Sequence, residues 1–133
     1  MAAAVWAAQE PLDQRVLGCD YSDVAVLGKA GTRGPAWRPI GLALHVANGA
    51  AFGLAFDEAR KHATRLGNTR LAVGMALAEH VALYPLSGLV DRYHPARGEE
   101  GVPPLLTNPR AFAQATWRHA LFGVVLGRLA GPV

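Results

Sequence analysis

Three apolar stretches, Pro39–Phe56, Leu71–Val90 and Ala111–Leu129, set the pattern of the chain. Each has 18 to 20 residues, close to the ~20 that a helix needs to cross hydrocarbon. Arg33, Arg38 and Pro39 precede the first, and Asp57, Glu58, Arg60 and Lys61 follow it. The second lies between Arg70 and Asp91-Arg92, and Asn108-Pro109-Arg110 opens the third. Proline near a first turn and charge beyond the last predict helices that cross one apolar layer. A weaker run, Ala2–Ala8, meets Glu10, Pro11, Asp13 and Arg15 almost at once. It is too short to span and reads as a half-inserted or interfacial helix.

The connections are marked by Gly and Pro. Asp20–Arg38, with Gly28, Gly31, Gly34 and Pro35, is expected to be a loop with a short surface turn at Ser22–Leu27. Asp91–Pro109, with Pro95, Pro103 and Pro104, is expected to be a second loop. The expected fold is therefore all-α, an up-and-down four-helix bundle of transmembrane character in one domain of 133 residues. A shift of 74 residues carries His45, Gly49 and Gly53 onto His119, Gly123 and Gly127, and Pro11-Leu12 onto Pro85-Leu86. That pattern predicts two repeated helical hairpins. Glycines four apart let backbones approach closely, so the His-Gly-Gly helices are expected to pack on each other with their histidines meeting.

None of the long stretches is purely apolar. His45, His80 and His119 sit near their middles, with Glu79 and Arg118 as neighbours of two of them. Ionisable groups at that depth are costly, so they take partners and mark functional sites. Glu79 and Arg118 are expected to pair, because either alone in an apolar interior would carry a large desolvation cost. His80, Tyr84, Ser87 and Asp91 share one stripe, and Asn48 flanks the His45 face.

Composition narrows the classes. The net charge is +3, yet the basic residues are scattered and Lys29 and Lys61 are the only lysines. Nucleic-acid binding is not expected. The Arg-, Ala- and Gly-rich mix suits a GC-rich bacterial genome, and a mean hydropathy of +0.15 decides nothing by itself. Cys19 is alone, which excludes an intrachain disulfide and any cysteine-based metal knuckle. Glu10-Pro11 and the lack of a basic flank argue against a cleaved signal. No Gly-x-Ser-x-Gly elbow, phosphate loop, His-Glu-x-x-His or Glu-x-x-His motif is present. His62 and His94 fall in charged connections and are expected to be solvated.

Two uses of the mid-helix groups stand side by side. Three imidazoles with a nearby carboxylate suit a transition metal, and two suit a haem iron, with His45, His80 and His119 as ligands. Glu79, Arg118, Glu10, Asp13, Asn48 and Tyr84 would complete a site for a small polar ligand. Alternatively, Glu10, Asp13, Glu79, the histidines and Asp91 form a titrating chain, as in a proton-coupled carrier or channel subunit. A homodimer would suit that role, since four short helices enclose little. A soluble helical interaction module is the rival outside the membrane.

Four short motifs carry a resemblance. They are Glu10-Pro11-Leu12-Asp13 with Tyr21-Ser22-Asp23, Leu44-His45-x-x-Asn48-Gly49, Glu79-His80-x-x-x-Tyr84-Pro85 and Trp117-Arg118-His119-x-x-Phe122-Gly123. On these the chain resembles a family of small uncharacterised bacterial membrane proteins. The resemblance implies a four-helix bundle in the inner (plasma) membrane, with the lipid bilayer as partner, and implies no activity.

Overall fold

The computed structural model describes residues 1–63 and 66–131. Among them, all regular structure is helical. Helix α1 spans Ala2–Leu17 and α2 spans Asp23–Gly31; α3 spans Trp37–His62 and α4 spans Asn68–Leu83. A 3₁₀ turn at Tyr84–Leu86, centred on Pro85, leads into α5 (Ser87–Tyr93), and α6 spans Pro109–Leu129. With that turn, Asn68–Tyr93 forms one rod of 26 residues.

Local chemistry sets the ends. Ser22 caps α2, its Oγ accepting the Ala25 N–H at 3.2 Å. Asn108 caps α6, its side chain accepting from the Arg110 and Ala111 N–H groups, with Pro109 in the first turn. Gly18 ends α1 at φ +61°, a left-handed conformation that favours glycine.

Two expected connections are more ordered than their composition suggests. The turn expected at Ser22–Leu27 is a helix through Gly31, and it lies against the start of α3. A Cβ at Gly28 or Gly41 would collide with the backbone of the opposite helix, so the two glycines permit that crossing. The first helix, expected to be short, runs through Pro11 to Leu17. Proline there removes one backbone hydrogen bond, and Asp13 beyond it turns inward onto α6.

The segment after α5 is pinned down. The Asp91 carboxylate accepts the Leu105 and Leu106 N–H groups at 2.7 and 2.9 Å, and the Tyr84 hydroxyl donates to the Leu105 carbonyl at 2.7 Å. His94, expected to be solvated, is buried. Its Nδ1 accepts the Ala96 N–H and its Nε2–H donates to the Val26 carbonyl at 2.9 Å, which binds this loop to α2.

The long helices meet in antiparallel seams. On α6, Gly123 and Gly127 lie against the α4 backbone; a Cβ at Gly123 would stand 2.6 Å from the Val73 Cα, and one at Gly127 would strike Thr69. Trp6, Glu10 and Asp13 bring α1 against Phe122 and Arg118 of α6. Ala3 of α1 fills the space at Gly49 of α3. The two His-Gly-Gly faces therefore do not pack on each other as expected: one receives α4, the other receives α1, and Gly53 faces open space. The shift of 74 residues nonetheless carries Trp6 onto His80 and His45 onto His119. Both ring pairs touch, at 5.1 and 4.8 Å between centroids.

Large polar side chains are buried while many large apolar ones are exposed. Arg118 and Gln114 are among the largest fully buried side chains, whereas Leu54 is 73% exposed and Ile40, Leu42, Leu44, Val81, Leu83, Leu86 and Leu89 are exposed as well. Among the described residues, α3 and the rod Asn68–Tyr93 are long and apolar enough to cross a membrane, yet only 17% and 11% of their apolar windows are buried.

Candidate functional site

Arg118 is the hub. All five of its N–H donors are used. Nε and Nη2 grip Asp13 in a bidentate pair at 2.7 and 2.6 Å. Nη1 donates to Asp23 at 2.8 Å and to Glu10 at 3.4 Å, and Nη2 also donates to the Tyr21 carbonyl at 2.9 Å. This fork-on-carboxylate geometry is the strong form of the ion pair. Three helices and the α1–α2 connection are tied to one guanidinium.

Each carboxylate is held further. Asp13 accepts from Gln114 at 2.8 Å and from Gln9 at 2.6 Å. Asp23 accepts from the Trp6 indole at 3.0 Å and the Tyr21 hydroxyl at 2.5 Å. Glu10 accepts from the Ser22 hydroxyl at 2.7 Å and the Asp23 N–H at 3.1 Å. Burial alone would push the Asp23 carboxyl up, but the Arg118 charge and the Tyr21 hydroxyl hold it below the usual carboxylate range. Burial, with the Asp23 charge beside it, pushes the Tyr21 phenol well above its ordinary value.

The cluster is not charge-balanced. Three carboxyl groups surround one guanidinium, a combination that low-dielectric surroundings tolerate only with another proton or cation present. Glu10 has the longest contact with Arg118, and it alone of the three lines an open cavity of about 630 Å³. That cavity lies between α1, α2 and the start of α3. Ala4, Ala7, Ala8, Val24, Trp37 and Leu42 supply apolar walls; Lys29, Arg38, Asp20 and Glu100 bring charge to it.

A row of rings continues from the cluster. Trp6 stands between His45 (5.1 Å) and His119 (4.7 Å), and His119 lies 4.8 Å from His80. His80 is packed by Phe112 and Tyr84. The histidines thus do gather in one interior, but their nitrogens turn to protein. His119 Nδ1–H donates to the Ala115 carbonyl at 2.7 Å. Thr116 donates to Phe112, so its Oγ accepts from His80 Nε2–H at 2.9 Å. His45 Nε2 is buried without a partner among the described residues.

No family model matches the chain, and no curated protein or solved structure matches it.

Of the residues singled out from sequence, Glu10, Asp13 and Arg118 share one site. His45 and His119 reach it through Trp6, with His80 beyond. Tyr84 is half-buried and serves the loop that follows α5. Asn48 is exposed on α3. The expected Glu79–Arg118 pair is absent: Arg118 faces α1 and α2, while half-buried Glu79 has no ion pair among the described residues. No group of three or more His, Cys, Asp or Glu able to hold a metal occurs among the described residues. Asp23, Tyr21, Trp6 and Gln9 were not among the expected site residues, although Tyr21 and Asp23 stand in one of the quoted motifs. A signal for two of them existed: Trp6, Gln9, Glu10 and Asp13 form a polar stripe at helical spacing on an alanine-rich helix.

Proposed function

We propose that the chain is an integral membrane protein, an up-and-down bundle of four helices (α1, α3, the rod Asn68–Tyr93 and α6) around a buried polar site. The site is built on Arg118, Asp13, Asp23 and Glu10 and binds a small polar ligand in the cavity beside Glu10. One observation carries this reading: the most buried large side chains include an arginine and a glutamine, while the longest apolar helices are the most exposed. In water that arrangement would leave a large apolar surface unpaired. In lipid it is the expected one, since the bilayer covers apolar residues and polar groups must find partners inside. The metal and haem readings gain no such support, because the histidine nitrogens that are engaged point at carbonyl and hydroxyl oxygens.

The test is fractionation. The protein is expected to pellet with membranes, resist an alkaline carbonate wash and enter solution only with detergent. Recovery as a stable soluble species without detergent would overturn the membrane reading in favour of a soluble helical module.

A further inference from the structure

The unbalanced charge at Glu10 and the chemistry of the cavity wall beside it specify a ligand class. We infer that Glu10 holds, in turn, a proton or the ammonium group of an amine with an apolar body, the two competing for one carboxylate at the floor of the α1–α2–α3 cavity. This rests on the cavity being the ligand site proposed above and names what it takes.

Five observations support it. Asp13 and Asp23 are fully engaged by Arg118 and by neutral donors, so Glu10, at 3.4 Å from the guanidinium, is the carboxylate with charge to spare. Gln114, fully buried, gives its amide N–H to Asp13 and keeps its carbonyl oxygen without a donor among the described residues, so the cluster is richer in acceptors than in donors. Pro11 has no N–H for the Ala7 carbonyl, which thereby loses its helical donor, and Ala7 and Pro11 both line the cavity. The rest of the wall is mostly apolar, with Ala4, Ala8, Val24, Leu42 and the Trp37 ring against the charged groups Asp20, Lys29, Arg38 and Glu100, which suits an apolar body better than a sugar. A cavity of about 630 Å³ is of the size that small-molecule sites use.

Around Glu10 stand Asp13 on its own helix, Asp20 and Tyr21 in the connection, Asp23 and Lys29 from α2, Arg38 and His45 from α3, Arg118 and His119 from α6, and Glu100 from the later loop. Lys29 is already spent: it donates to the Glu100 carbonyl at 2.7 Å and lies over Trp37, as Arg38 does. The surplus near the floor is negative.

Three probes sharing one cage separate the possibilities: 1-adamantylammonium, 1-adamantanol and 1-adamantanecarboxylate, titrated into purified protein in neutral detergent against protein-free micelles. The ammonium is expected to bind at least tenfold more tightly than the alcohol. Its affinity should fall by about tenfold per pH unit once Glu10 is protonated, with one proton released per molecule bound. Glu10→Gln should erase both the preference and the pH dependence, and Glu10→Asp should keep them. Equal or tighter binding of the alcohol or carboxylate would overturn the ligand class and leave the cavity reading standing. Binding of none of the three would overturn both.

Discussion

Helix α6 packs along two seams built on opposite principles. Toward α4 it presents Gly123 and Gly127, whose missing side chains let the helices meet backbone to backbone. Toward α1 it presents Gln114 and Arg118, which meet Asp13 and Glu10 through charge-assisted hydrogen bonds. The first seam is specified by shape and tolerates no added volume. The second is specified by donor and acceptor count, and it cannot lose a member without stranding another in a dry interior. A helix whose apolar surroundings resemble lipid gains little from burying more apolar area, so close approach and polar pairing are the means left to it.

The sharpest way to break that comparison is at the hub. Arg118→Ala leaves three carboxyl groups without their cation, and removing one partner of a buried pair costs about 3–5 kcal/mol. The variant is expected to lose most of its thermal stability in detergent or fail to accumulate. Glu79→Gln, at a carboxylate that the arginine does not touch, should stay within about 0.5 kcal/mol of the parent. Similar losses from the two substitutions would mean that Arg118 is not the hub described.

The glycine seam yields a smaller effect. Gly123→Val must force α4 and α6 apart and is expected to cost about 1–3 kcal/mol, read as a lowered thermal midpoint. Gly53→Ala, at the matching place in the other His-Gly-Gly motif, meets no neighbour within 4 Å. It should be neutral or gain up to about 1 kcal/mol from helix propensity. A loss at Gly53 equal to that at Gly123 would show that the two motifs pack alike after all.

Acid provides the gentlest probe. Asp23 is held below its unfolded value, ordinarily about 3.9. Its share of stability is therefore complete above about pH 4 and is lost as pH falls through the lower folded value. The thermal midpoint of Asp23→Asn is expected to start lower at neutral pH and to decline less steeply below pH 4 than that of the parent. Parallel acid limbs would show that Asp23 is not held by Arg118.

Much of this was legible in the chain. Length and flanking charge marked the three long segments, and the depth of His45, His80, His119 and Arg118 marked a polar interior. The partner of Arg118 was not legible. Glu79 lies beside the central histidine of its own segment and looked the natural choice, whereas α1 looked too short to span and its Glu10 and Asp13 stood only as further members of the site. Its polar residues are the reason it matters: Glu10 and Asp13 fall on the stripe that α1 turns to α6. The structure of α2 was hidden for a different reason. Gly28 and Gly31 read as a loop, but Gly28 is where α2 crosses Gly41 of α3, and a glycine needed for close approach has the same letter as one needed for a turn.

The central claim, an apolar exterior that faces lipid around a polar interior, is most directly tested by spin-label accessibility in reconstituted bilayers. Single cysteines at Leu44, Val46 and Leu54 of α3, in a Cys19→Ser background, would each carry a nitroxide. The account predicts frequent collision with oxygen, which concentrates in hydrocarbon, and little with a water-soluble nickel chelate, with the contrast greatest near the helix centre. Labels at these positions that collide freely with the nickel chelate would contradict it.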